Sequence, residues 1–287
     1  MLVFKWGLYR GRQRWRCGDC GHIGTQPGRD WVKAAYRDYV LGKQTLKQLS
    51  IQYDKSLSTL QRRFDALRYA PRMLPPPSVP VSVVCDTTFF GRKYGVLVFR
   101  AEGKTLWWRF VMRETAAETH AGLHQLMAAG WRLEAITVDG KHSTLSMLRK
   151  HYPNIPVQLC QYHVIQGVRR ILGPKPGTEF GRELLALTLQ LPRLDKDSFA
   201  DRFLYLTRYR FRNHLGRREE RKASRAIKAI ERALPYLFTY KNHPDLRIPN
   251  TTNSCEGHFG QWKQKIKLHR GTTILRQQKM ISFLLLN

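Results

Sequence analysis

The sequence predicts an α/β protein with an all-helical insertion. Three observations predict it. Between residues 81 and 160 the apolar residues switch repeatedly between strand and helix spacing. Residues 161 to 245 then read as predominantly helical. Finally, a net charge of +29 sits on a chain that is 42% hydrophobic and 11% aromatic, too apolar to be disordered, so the charge decorates a folded body.

At 287 residues there is room for one sizeable core and a smaller appended module. Fifty Lys and Arg against 21 Asp and Glu attract a polyanion, nucleic acid first and an anionic membrane surface second. No window approaches the roughly 18 consecutive apolar residues of a spanning helix, and Lys5, Trp6 and Arg10 follow Met1 without a signal-peptide core. A cytoplasmic protein without a membrane role, held at the nucleoid through DNA, is expected. The five cysteines are odd in number and widely spread, which speaks against a disulfide framework and fits a reducing compartment.

Residues 1 to 30 have little apolar period and are rich in Arg, Gly and aromatics. Cys17-Gly-Asp-Cys20-Gly resembles the second half of a zinc ribbon. A structural zinc takes four ligands; nothing before Cys17 is a cysteine, and His22 makes only a third. Two readings stand, a free thiol pair in a basic arm or bound Zn²⁺, and the missing first knuckle leads to the expectation of an N-terminally shortened chain.

Residues 31 to 70 turn helical, with two short helices joined near Asp54 to Ser56, a helix-turn-helix pattern. Leu46, Leu49, Leu57, Leu60 and Phe64 form its expected core; Ser58, Thr59, Gln61, Arg62 and Arg63 are placed to face a DNA groove. An ordinary helical hairpin with a solvated basic face is the alternative. Five prolines in residues 71 to 80 sustain neither helix nor ladder and mark a linker.

From residue 81 to 287 a single catalytic domain is expected. Val81 to Asp86, Tyr94 to Arg100 and Thr105 to Val111 read as strands separated by turns at Gly91 and Gly103, an antiparallel meander. A helix over 116 to 129, a strand over 133 to 138, a helix over 142 to 151 and a strand over 157 to 160 follow. By analogy, β-β-β-α-β-α-β is the order of the ribonuclease H-like fold, in which the first strand lies beside the fourth. The insertion, at about 164 to 245, holds ten Lys and Arg against three Glu between Tyr205 and Arg232. That bias favours phosphate contact over a merely solvated face, with Arg217, Arg218 and Arg221 as the candidates. A last amphipathic helix starts near Asn253 or Ser254, either of which is available as its cap.

Asp86 ends the apolar run Val81-Ser-Val-Val-Cys-Asp, and Asp139 ends Ala135-Ile-Thr-Val-Asp. On neighbouring strands, about 4.8 Å apart, two such carboxylates can bridge one cation. Glu256 supplies a third oxygen ligand from the start of the last helix. Three acids around an open cleft suit Mg²⁺, and two ions, with Mn²⁺ as a substitute, would serve an in-line phosphoryl displacement. Singly, an acid after a strand is usually a turn former or a helix cap; the combination is the stronger signal.

These elements together resemble the Mutator-like transposases and their bacterial insertion-sequence relatives over nearly the entire chain. The resemblance rests on the strand-borne Asp86 and Asp139, the latter within Val138-Asp-Gly140, on Cys160-Gln-Tyr-His163 after the next strand, on the helical insertion, and on Thr252-Asn-Ser-Cys-Glu256 opening the last helix. It implies a catalytic triad of Asp86, Asp139 and Glu256, Mg²⁺-dependent strand cleavage and strand transfer of an insertion element, and a homodimer or larger assembly. For Cys160 and His163 it implies positioning or protonation of a DNA phosphate group; a packed pair and a zinc site, which two ligands do not close, are the other readings.

Aromatic and cationic residues interleave in Trp107-Trp108-Arg109-Phe110 and in Gln261-Trp262-Lys263-Gln-Lys265, where base stacking competes with core packing and Lys263 and Lys265 are candidate phosphate contacts. Two other functions fit the same sequence: a non-catalytic DNA-binding regulator derived from a transposase, and a ribonuclease H-like nuclease without strand transfer.

Overall fold

The structure, a computed structural model, describes residues 3–25, 31–69, 74–210 and 216–286. The chain divides into two compact units, one of residues 1–70 with 262–287 and one of residues 71–261. Residues 71–73 of the expected linker, 26–30 of the arm and 211–215 of the basic run lie outside the described residues. From Leu74 to Pro80 there is neither helix nor strand.

The first unit opens with β1 (Val3–Tyr9), β2 (Arg12–Cys17) and β3 (Ile23–Thr25), which form an antiparallel sheet in that order. The expected arm is therefore a small sheet; its alternation of Arg with aromatics carries no apolar period from which to read strands. Next come α1 (Trp31–Val40), α2 (Leu46–Tyr53) and α3 (Leu57–Ala66). Thr45 and Gln48 close a capping box at the start of α2; Asp54, at φ 48°, ends that helix in the left-handed region, and Ser56 caps α3. Leu49, Leu60 and Phe64 are buried with Tyr36 and Val40, and Leu46 packs against them. Leu57, expected in that core, is 47% exposed because it opens the first turn of α3, beyond the packed face.

The second unit contains β4 (Val81–Phe90), β5 (Tyr94–Ala101), β6 (Lys104–Val111), α4 (Ala116–Ala128), β7 (Leu133–Val138), α5 (His142–His151) and β8 (Val157–Leu159). They form a five-stranded mixed sheet of order β6-β5-β4-β7-β8, antiparallel from β4 to β6 and parallel from β4 to β8. The helices α6 (Gln161–Leu172), α7 (Glu179–Leu189), α8 (Lys196–Tyr205), α9 (Arg217–Ala233) and the single turn α10 (Thr239–Asn242) follow. One continuous core joins Val83, Leu97 and Ile136 of the sheet to Phe180 and Leu184 of α7, Phe199 of α8 and Ile230 of α9, so the inserted helices share the core of the sheet.

Two helices end the chain, α11 (Asn253–Leu268) and α12 (Ile274–Leu286). Residues from Trp262 onward belong to the first unit, which differs from the expected extent of the catalytic domain to residue 287. The physical reason is packing: Met280 and Phe283 of α12 are buried among Tyr36, Tyr39, Leu60 and Phe64, and Arg276 makes a two-pronged pair with Asp65 at 2.9 and 2.6 Å. Among the described residues no helix is long and apolar enough to cross a membrane.

Candidate active site

Asp86 does not end its strand as the apolar run implied. β4 continues through Thr87 and Thr88 to Phe90, because those residues pair with β5, Asp86 itself opposite Val98. On the other side the parallel pairing with β7 stops at Val84 opposite Thr137, so Asp86 lies just past the point where the two strands cease to pair. Its carboxylate accepts a bond from Thr87 N at 2.7 Å. Asp139 follows the last residue of β7, and Gly140 completes the turn at φ +88°, where a Cβ would come 3.3 Å from Leu159 Cδ1. Val-Asp-Gly is thus a strand end whose glycine the turn itself requires.

Glu256 returns to this sheet end because buried and half-buried polar side chains hold the chain that precedes it. Ser82 Oγ donates to Leu246 O at 2.7 Å, and Thr137 Oγ1 donates to Pro249 O at 2.6 Å. The side chain of Gln161 accepts from Asn250 Nδ2 at 3.1 Å, while its backbone N–H donates to Asn250 O at 2.9 Å. Thr137 and Gln161 are fully buried, so each bond is one the fold would lose stability to break. Thr252 comes next; its carbonyl accepts from the N–H groups of Cys255 and Glu256, starting α11.

Asp86, His163 and Glu256 offer ligand atoms that all lie within 4.8 Å of one another. His163 Nε2 is 3.9 Å from Glu256 Oε1. Asp139 stands outside that group, its carboxylate engaged by its own turn: Lys141 N donates to Oδ1 at 3.2 Å and Lys141 Nζ lies 3.8 Å from Oδ2. Lys141 Nζ also bonds Glu114, a largely buried acid between β6 and α4. Burial, and then Asp139, push the Glu114 carboxyl up, against the pull of Lys141.

Cys160 follows β8 and precedes the first residue of α6; it is fully buried. Thr252 N donates to its Sγ at 3.2 Å, and Thr252 Oγ1 lies 3.5 Å from that sulfur and 3.4 Å from His163 Nδ1. Burial raises the Cys160 thiol, but its hydrogen bonds to His163 and Thr252 outweigh that and leave it below its ordinary value. The same bond to Cys160 is the largest cause that lifts His163 to about 9, with the charges of Asp86 and Asp139 adding to it. Asp86 is pushed up to about 6 by burial, against the favourable charge of His163. The arrangement is a buried carboxyl, a protonated imidazole and an outer carboxylate, with Asp139 beside them.

A cleft of about 270 Å³ adjoins these groups, lined by Asp139, His142, His163 and, from the inserted α9, Arg232. Thr252, Glu114 and Lys141 are the residues that sequence reasoning missed. Thr252 stood in the quoted motif without a role; Glu114 and Lys141 have no pattern of their own and read as a loop acid and a surface lysine.

The remaining candidates are dispersed. Ser58, Arg62 and Arg63 are exposed on α3, Thr59 and Gln61 partly so. Arg217, Arg218 and Arg221 are exposed on α9, whose Ala223, Ala226 and Ile230 face the core. Lys263 is exposed, whereas Lys265 Nζ donates to the carbonyls of Val40 and Leu41 that end α1, so its ammonium is already taken. Trp107, Trp108 and Trp262 are buried, which places their rings in cores instead of against bases. Cys17 is half-buried and Cys20 exposed; backbone N–H groups of Cys20 and Asp19 bond the Cys17 sulfur and hold its thiol below the usual value. The only three-residue metal-ligand group among the described residues is that of Asp86, His163 and Glu256.

No family model and no curated protein matches this chain. Among solved structures, the cryoEM structure of the simian T-cell lymphotropic virus intasome in complex with PP2A regulatory subunit B56 gamma is 14% identical. That match covers 64% of this chain and 70% of that one at a TM-score of 0.24, a likeness too slight to carry an argument.

Proposed function

We propose that the chain is a DNA transposase of the DDE type, a polynucleotidyl transferase built on a ribonuclease H-like core. One observation supports it above the others: carboxylates from β4 and from the first turn of α11 come together with His163, and Asp139 directly follows the parallel strand next to β4. Distant acids are brought to one end of a sheet at the cost of burying Asp86, which is the arrangement a cation would repay.

Asp86, Asp139 and Glu256 are the residues that would hold Mg²⁺, as two ions, with Mn²⁺ as a substitute. The donor set fits: all three offer hard oxygen ligands, and the burial that raises the Asp86 carboxyl disfavours its bare charge, which a cation would offset. When bound, the ions would supply activation of the attacking oxygen and stabilisation of the leaving one. The chain's own residues do the rest. His163 carries its proton at neutral pH and can donate it to a phosphate oxygen in the adjoining cleft. The bond to Cys160 keeps that imidazole charged, and Thr252 Oγ1, 3.4 Å from its Nδ1, helps to orient it. Exposed arginines of α3 and α9 provide phosphate contacts for double-stranded DNA, and the active form is a homodimer or larger assembly.

Asp86→Asn and Asp139→Asn test the reading. Each should abolish Mg²⁺-dependent DNA strand cleavage while leaving DNA binding within about twofold, a change of under about 0.5 kcal/mol. Retained cleavage in either variant would refute it.

A further inference from the structure

The three-stranded sheet at the start of the chain shows a face for which the proposed chemistry has no use. All seven residues of β1 are exposed, including Phe4 at 53%, Trp6 at 43% and Tyr9 at 53%. Residues opposite one another in an antiparallel pair share a face, and positions two apart do likewise. Phe4 pairs with Arg16, so Phe4, Trp6, Arg14 and Arg16 lie on one side. A bulge between Lys5 and Leu8, with Gly7 at φ +68°, adds one residue to β1, and Tyr9 then pairs with Arg12, in step with Arg14 and Arg16. Without that glycine bulge Tyr9 would fall on the opposite side. The ring contacts agree: the Arg16 guanidinium lies 4.6 Å from the Trp6 ring and that of Arg14 5.8 Å from Tyr9.

Three exposed aromatic rings are thus set among arginines on one face. Among the described residues, Lys5, Arg10, Arg14 and Arg16 have no carboxylate partner, and Asp19 is the only acid between Val3 and Cys20. Five Lys and Arg lie in the same stretch. The charge calls for a polyanion, and the rings call for flat apolar groups spaced along it. Phe4 and Trp6, two residues apart on one strand, are separated by about 6.6 Å, a distance an unstacked polynucleotide strand can match from base to base. Bases inside a duplex keep their faces against one another and are closed to such rings.

We infer that this sheet face binds single-stranded nucleic acid, its bases stacking on Phe4, Trp6 and Tyr9 and its phosphates meeting Arg14 and Arg16. The sheet belongs to the first unit and the carboxylate residues to the second. The inference stands or falls independently of the transposase reading.

The test is fluorescence anisotropy of the full-length protein with a labelled single strand of about 20 nucleotides and with the duplex of the same sequence. Phe4→Ala/Trp6→Ala/Tyr9→Ala should weaken single-strand binding at least about tenfold and duplex binding less than about twofold. Trp6→Phe/Tyr9→Phe, which keeps the rings, should bind as the parent does. Arg14→Ala/Arg16→Ala should flatten the salt dependence of single-strand affinity. Asp86→Asn should leave all of these affinities unchanged, which separates a failure of the catalytic reading from a failure of this one. Unchanged single-strand affinity in the triple alanine variant would overturn the inference. So would a change of its oligomeric state in sedimentation with strand affinity intact, which would assign the face to a second copy of the chain.

Discussion

His163 Nε2 stands 3.9 Å from Glu256 Oε1 and a ring nitrogen of His163 lies within 4.8 Å of an Asp86 oxygen, so an imidazole whose value is lifted to about 9 occupies the point where two carboxylates converge. In the protein alone, that positive charge offsets carboxylates which burial and mutual repulsion would otherwise disfavour. Behind it Cys160 and Thr252 fix the ring, and the consequences can be measured.

Cys160→Ala removes the largest cause of the raised His163 value. In the parent protein, imidazole resonances of His163 should titrate at about 9; in the variant they should titrate lower, toward the ordinary histidine range. The sign follows from linkage: with its folded value above its unfolded one, His163 adds stability below its ordinary value, and that stability is lost as pH rises through about 9. An unshifted titration in Cys160→Ala would remove Cys160 from the role given to it.

Asp86 works in the opposite sense to a salt-bridged acid. Burial lifts its carboxyl to about 6, so between its ordinary value and that point the folded protein keeps a proton the unfolded chain has lost. Its contribution to stability therefore falls as pH rises through the window. Above it the ionised group costs on the order of 2 to 3 kcal/mol. Asp86→Asn keeps the acceptor for Thr87 N and should raise the melting temperature of metal-free protein near neutral pH. The gain should vanish in acid, below the ordinary carboxylate value; a variant less stable than the parent at neutral pH would contradict this.

Lys141 joins Glu114 to Asp139 and is 43% exposed, so its pairing is worth less than a buried one. A double-mutant cycle of Lys141→Met and Glu114→Gln, followed by urea unfolding, should give a coupling of about 0.5 to 1 kcal/mol. Lys141→Met should be the more destabilising single change, since it leaves two neighbouring carboxylates without their cation. Additive effects would mean that the pair is not formed.

Phe283 packs edge-on against Tyr36 and Tyr69 at ring-centroid distances of 5.4 Å, linking α12 to the N-terminal helices. Phe283→Ala should cost about 3 to 5 kcal/mol in that unit. Hydrogen exchange should show lost amide protection at Leu49, Leu60 and Phe64. Unchanged protection would show that the three N-terminal helices hold together without α12.

Where local pattern decides the structure, the sequence was legible. β7 and α5 have the limits their spacing predicts, since an apolar strand and a helix are set by residues within the segment. The apolar run ends at Asp86 and makes β4 look too short, yet Thr87 and Thr88 are β-branched and find partners across the hairpin in β5. The strands of the arm left no signal, since Phe4 and Trp6 alternate with residues that are also exposed and neither face is apolar throughout. Membership of α12 in the first unit, and the gathering of Glu114, Lys141 and Thr252 around the acids, depend on contacts between residues far apart in sequence, which no local period encodes.

Glu256 comes near Asp86 where the chain before it is tied down by Ser82, Thr137 and Gln161, and on that return rests the proposal that the three carboxylates act together. The most direct measurement is strand cleavage by Glu256→Gln on supercoiled DNA carrying the gene and its flanks, in Mg²⁺, with DNA binding measured in parallel. The account predicts that the parent protein nicks or cuts this DNA and that the variant binds it equally well without breaking a strand. Cleavage by the variant at the parent's rate would contradict it.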